Sequence, residues 1–199
     1  VFIYINLGGI RDNIKVEINY SLRSHLFELE DKSVLSDVIH MEHLITVFSP
    51  VELFATKINA LLSLAAARDL YDTYNMIDMG LFSKDEYEML RKSVVFYTTI
   101  SQEEIPERYD VNVIDQISIR KIRTDLLPVI QKGEFIELKK IKNRVKEFLS
   151  GLMILTADEQ NFLRKFKERE YCPELLFDDG KVVRRISNHP MALWKIQEH

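Results

Sequence analysis

The chain is poor in the residues that would fix its chemistry most directly. Among 199 residues there is a single cysteine, Cys172, so no internal disulfide can form, and one thiol in a chain of this size fits a reducing compartment. Six glycines and five prolines are too few for a collagenous, linker-like or low-complexity chain, and no internal repeat is visible. No apolar run approaches the ~20 residues that span a bilayer, and no secretory signal pattern opens the sequence, so the chain reads as cytoplasmic with no membrane role. Positive charge is not in excess either. The formal net charge of -4 gives no global attraction to nucleic acid, and any such contact must come from a local basic face.

What is present is an ordinary globular composition, 46% hydrophobic and 29% charged, in a chain long enough to bury a sizeable core. It starts directly in an apolar stretch, "VFIYINLGG", where a polar, frayed lead-in is usual. The expectation is the C-terminal part of a longer protein. The first segment reads as β: Phe2 to Tyr4, a turn cluster "GGIRDN", then "IKVEINY", in which Ile14, Val16, Ile18 and Tyr20 alternate with Lys15, Glu17 and Asn19. A hairpin or two neighbouring strands follow from this pattern, and "LITVF" (44–48) is a third strand.

The period then changes to helical. "SPVE" (49–52) and "SKDE" (83–86) both read as capping-box starts, with Pro50 at the first helical position of the former. Helices are predicted to about residue 64, over 66–79 up to Gly80, 83–100, 114–131, 134–150 and 156–169, with Gly133 and Gly151 as breaks, and "DDGK" as a tight turn. Strands followed by helices is the order of an α+β fold. The expected domains are a β-rich part over 1–48 and a helical region over 49–199, in which 49–100 completes the site and 101–199 forms a C-terminal helical subdomain.

The stretch "KINALLSLAAARDLYDTY" (57–74) carries Lys57, Arg68, Asp69 and Asp72 among leucines and alanines. On one straight helix Lys57 and Asp72 would stand roughly 22 Å apart at ~1.5 Å per residue. They can share a site only if the chain bends near residues 63–67, where no Gly or Pro enforces a bend. Arg68 and Asp72 are i,i+4 neighbours, and a surface ion pair beside a solvated Asp69 accounts for the spacing as well as a converging site does.

"SPVELFATKINALLSLAAARDLYDTYNM" resembles the signature of the AbiEii/AbiGii-type toxins, a bacterial family with a nucleotidyltransferase fold, in which a Lys on one helix precedes Arg-Asp-x-x-Asp on the next. "IKVEINYSLRSH" and the terminal "NHPMALWK" are similar to flanking parts of the family, so the likeness spans nearly the whole chain. Leu64 stands where many relatives carry arginine. The resemblance implies the remainder of a nucleotidyltransferase sheet followed by a helical bundle. It implies that Lys57, Asp69 and Asp72 are catalytic, that Lys57 and Arg68 contact the nucleotide with Arg68 bracing Asp72 or another acid, and that Glu17 assists a metal. The Asp-x-Asp pair that holds Mg²⁺ in this fold is expected upstream of residue 1, so the fragment alone would be inactive while the whole protein transfers a nucleotide from an NTP to an acceptor such as tRNA. A cognate antitoxin, regulatory rather than tightly bound, is the implied partner in phage defence or growth arrest.

Other signals are weaker. His40 and His43 flank Glu42 without a third ligand nearby, and Cys172 has no Cys or His partner. His25, His189 and His199 read as surface or hydrogen-bonded residues, and Phe96, Tyr97 and Phe135 as core. Lys139, Lys140, Lys142, Arg144 and Lys146 form a basic helix face that is either solvated or an RNA contact, extended by "RKFKERE" and Arg184-Arg185. A non-catalytic helical module that binds RNA or a protein is therefore the rival reading.

Overall fold

The structure is a computed structural model, and it describes residues 2–5, 8–9, 11–14, 16, 24–33, 44–131, 133 and 135–198. Most of the strand expected over 14–20, including Glu17, and the histidines His40, His43 and His199 lie outside the described residues.

The β1 strand (Phe2–Ile5) pairs antiparallel with β2 (Arg11–Ile14), Phe2 opposite Ile14 and Ile5 opposite Arg11. The hairpin forms as its alternation predicts, but the ladder reaches back into the segment expected to turn. Gly9, at φ 75°, supplies the left-handed residue of the connection, which leaves Asp12 opposite Tyr4 rather than in the turn. A second antiparallel pair joins β3 (Glu30–Ser33) to β4 (Leu44–Val47). β4 was legible as "LITV". β3 reads "EDKS", three of its residues are exposed, and Thr46 Oγ1 donates to Asp31 Oδ1 at 2.8 Å across the pair. The two sheets share no strand.

The rest is helical: α1 (Pro50–Leu64), α2 (Ala67–Asp78), α3 (Lys84–Ser101), a 3₁₀ turn (Val111–Gln116), a short α4 (Ile119–Lys121) running into a π turn (Ile122–Leu126), α5 (Leu138–Leu152), α6 (Ala157–Lys167), α7 (Gly180–Ile186) and α8 (Pro190–Glu198). The α+β class holds. The single helix expected over 114–131 does not form. Ile117 is extended, and the Ser118 hydroxyl restarts the chain by accepting from the Lys121 N–H at 3.3 Å. Gly133 does mark a break, at φ 89°, whereas Gly151 lies inside the last turn of α5.

The core is organised around α3, whose residues 93–100 are all buried. Such a run needs its polar members satisfied internally. Ser93 Oγ donates to the Met89 carbonyl and Thr99 Oγ1 to that of Val95, each at 2.8 Å. α1 packs along α3, α2 packs on α1 and on α5, and α6 and α8 take other faces of α3. The Ser83–Glu86 capping box opens α3, and a second one, Thr156–Glu159, opens α6. Glu159 is fully buried and accepts from Arg91 Nε at 2.8 and 3.0 Å, tying α6 to α3.

Candidate functional site

The bend that a shared site requires exists. α1 ends at Leu64, and Ala65 adopts the left-handed conformation (φ 48°, ψ 50°) while donating its N–H to the Leu61 carbonyl. Ala66 is extended, and α2 begins at Ala67. A left-handed alanine costs roughly 1–2 kcal/mol, and tertiary contacts offset it here. Ala65 and Ala67 are both nearly fully buried, where larger side chains would not fit. The carbonyl of Ala65 accepts from Lys121 Nζ at 3.3 Å, and Arg68 Nε donates to the carbonyl of Asp125 at 2.7 Å. The break is thus held from outside by residues 121–125.

Across this break α1 and α2 form a hairpin that closes the predicted cluster. Lys57 Nζ lies 2.6 Å from Asp72 Oδ2 and 3.7 Å from Asp69 Oδ1. Burial works against the ammonium, but the hydrogen bond to Asp72 and the charges of Asp72 and Asp69 outweigh it and hold Lys57 above its ordinary pKa. Asp69 is also raised, by burial first and by the charge of Asp72, against the opposing charge of Lys57. Burial, with the neighbouring carboxylate charge, makes Asp69 reluctant to ionise. The Lys57 side chain stays one-third exposed, so its ammonium can still meet a ligand.

Arg68 does not join this cluster. It was expected to brace Asp72 or another acid, yet its guanidinium turns outward to the backbone of Asp125, and it acts on the site through the bend. Leu64, beside the break, is 71% exposed.

Glu52, expected to complete a capping box with Ser49, does something else. Ser49 Oγ accepts the Glu52 N–H at 3.2 Å, but the Glu52 carboxylate is buried and accepts from the N–H groups of Leu26 (3.1 Å) and Phe27 (3.2 Å) and from the Tyr97 hydroxyl. It fastens the 24–27 segment to α1 and α3, with His25 Nδ1 at 3.5 Å. A buried Glu with a local helix-start pattern gives no sequence signal for this role. Tyr97 is buried as predicted, and burial with the adjacent Glu52 charge pushes its pKa far up.

The remaining predicted residues divide. Lys142 Nζ donates to the Asp115 carbonyl at 3.0 Å and Lys146 Nζ to Asp115 Oδ2 at 2.7 Å, so both fasten the 3₁₀ turn to α5, and Arg144 lies 3.6 Å from Glu147. Lys139 and Lys140 point into solvent at the start of α5. Phe96 is core, but Phe135 is 86% exposed. His189 is fully buried rather than superficial, edge-on to Phe96 at 5.3 Å, with burial lowering its pKa. Burial raises the Cys172 thiol, which disfavours the nucleophilic thiolate. A cleft of about 650 Å³ opens between the 107–109 loop and α6, and none of its lining residues belongs to the Lys57 cluster.

Residues 2–169 match the sequence profile of the family described as "Nucleotidyl transferase AbiEii toxin, Type IV TA system". The chain belongs to the AbiEii toxin family. No curated protein and no solved structure matches it at a significant level. The AbiEii match takes in both strand pairs and every residue of the Lys57–Asp69–Asp72 cluster, and stops before α7 and α8. No helix among the described residues is long and apolar enough to cross a membrane.

The cluster fits the two expected co-substrates unequally. An ammonium one-third exposed and oriented by two carboxylates suits a phosphate oxygen. It is not a metal centre by itself: both acids face the same lysine, and no group of three acidic, His or Cys side chains among the described residues could hold an ion.

Proposed function

We propose that this AbiEii-family chain carries the nucleotide-phosphate wall of a nucleotidyltransferase toxin that moves a nucleotide from an NTP onto an RNA acceptor such as tRNA. The observation that carries the reading is the meeting of Lys57 with Asp69 and Asp72 across the Ala65 break, at 3.7 and 2.6 Å, from residues twelve and fifteen positions apart. In such a transfer an acceptor hydroxyl oxygen bonds to the α-phosphorus, the bond to the β-phosphate oxygen breaks, and pyrophosphate leaves. Lys57 neutralises charge on the phosphates, which is the main demand of the reaction. Asp72 holds the ammonium in place. Asp69, its pKa raised chiefly by burial, is placed to take the acceptor's proton. The cognate antitoxin of a type IV system acts in this reading by regulation rather than as a tight cap on the site.

The test is incubation of the complete protein, beside a Lys57→Ala version, with Mg²⁺, labelled nucleoside triphosphates and total bacterial RNA. Label in the tRNA band that disappears with Lys57→Ala supports the reading. Absence of label with all four nucleotides, from folded protein, overturns it.

A further inference from the structure

The cations that structure leaves facing solvent are not those of one α5 face. Arg120 and Arg123, three residues apart on the α4–π turn, are exposed, as is Arg68 at the start of α2. Their elements are fastened together by the Arg68–Asp125 and Lys121–Ala65 hydrogen bonds. The start of α5 joins them: Ile136, Leu138 and Ile141 line the same small apolar gap as Ile122, Leu126, Ala67 and Leu70. Lys139 and Lys140 are exposed on that same stretch of α5, between the gap-lining Leu138 and Ile141. Among the described residues the acids interspersed in these segments are Asp125, whose Oδ1 already accepts from Thr124, and Glu137; Glu134 precedes Phe135 in the chain. Phe135, next in the chain to the gap-lining Ile136, is 86% exposed. A bare phenyl ring costs solvation with no packing in return, and among cations it offers a surface on which a base can stack.

We propose that Arg68, Arg120, Arg123, Lys139 and Lys140, with Phe135, form a docking surface for an unpaired stretch of RNA. The cations would track phosphates and the ring would take one base. Charge argues for a polyanion, and the exposed ring argues for a strand whose bases are available, because a duplex keeps its bases stacked on one another. The surface begins at Arg68, next in the chain to Asp69, so it would lead a strand toward the Lys57 cluster. As the acceptor's path to that site it rests on the nucleotide-transfer reading. As an RNA-binding surface it does not.

The experiment is fluorescence anisotropy of the complete protein with a labelled single-stranded RNA oligonucleotide and with its duplex, across a salt series. Arg120→Glu with Arg123→Glu is compared with the control pair Lys84→Glu and Lys181→Glu, which makes the same change in charge at exposed positions on α3 and α7. The expected result is single-strand binding that weakens at least about tenfold with the first pair, with a shallower salt slope, and little with the control. Phe135→Ser weakens it at least about fivefold without changing the slope. Single-strand binding that responds in this way from a protein showing no nucleotide transfer keeps this inference and sinks only the transfer reading, which separates the two failures. Equal effects of the two charge-reversal pairs, absence of single-strand binding by the parent, or duplex binding as tight as single-strand binding with Phe135→Ser inert, each overturns the proposal.

Discussion

Replacing Lys57 by methionine keeps most of the stem's apolar packing and removes the charge that two aspartates share. At 2.6 and 3.7 Å its attractions to Asp72 and Asp69 are about 1.6 and about 1.1 kcal/mol in the dielectric of water, and several-fold larger in a less polar setting. Desolvation offsets much of that, and the side chains of Lys57 and Asp72 are about one-third exposed. The net loss belongs between the ~0–1 kcal/mol of surface pairs and the ~3–5 kcal/mol of buried ones, so about 1–2 kcal/mol is expected. For a chain of this length that lowers Tm by about 2–8 °C. The pH dependence has a defined sign. The raised Lys57 pKa makes its contribution complete below the ordinary lysine value and lost as pH rises through the folded-state value. The raised Asp69 pKa acts oppositely to a paired carboxylate. Ionising it carries no cost below the ordinary aspartate value and the full cost above the folded-state one, so stability declines as pH rises through that window. Lys57→Met leaves the acids facing each other, so its deficit is greatest at neutral pH and shrinks as they protonate. Asp69→Asn in the Lys57→Met background recovers about 1 kcal/mol in a double-mutant cycle followed by denaturant unfolding. A Lys57→Met deficit that is the same at neutral and acid pH, or untouched by Asp69→Asn, would refute the shared-cation account.

Two further outcomes follow from contacts away from the charges of that cluster. Arg91→Met leaves the fully buried Glu159 carboxylate without its guanidinium and is expected to cost about 3 kcal/mol or more by denaturant unfolding, with Arg91→Met/Glu159→Gln recovering part of it. Ala65→Val forces a β-branched side chain into left-handed backbone at a buried position. A loss of about 2 kcal/mol or more is expected, with nucleotide transfer falling alongside, whereas Ala65→Gly keeps the bend and changes stability by less than about 1 kcal/mol.

The helix starts and the hairpin were legible because they rest on local chemistry: Ser83 with Glu86 satisfies its own N–H groups, and alternating apolar residues declare a strand. The components of the Lys57 cluster were legible by resemblance, and a break near residues 64–66 was expected, but its cause was not legible. Its decisive event, left-handed backbone at Ala65, is imposed by packing and by donors from residues 68 and 121, and alanine advertises helix rather than a break. The same limit hid β3, whose "EDKS" is held as strand by its partner and not by propensity. It also bears on the basic face read over Lys139 to Lys146. Spacing places Lys142 and Lys146 on one side, and only the fold reveals that Asp115 is already there.

The break at Ala65 also bears on when the Lys57 cluster can assemble. No glycine or proline forms it, and the groups that steady it arrive more than fifty residues later in translation. A ribosome delivers α1 and α2 first, and a stretch rich in leucine and alanine favours one continuous rod, with Lys57 far from both aspartates. Only when Lys121 and Asp125 have left the exit tunnel can the rod be held folded at its middle. The chain is thereby built with a delay between making its charged residues and bringing them together, because residues 121–125 must be added first.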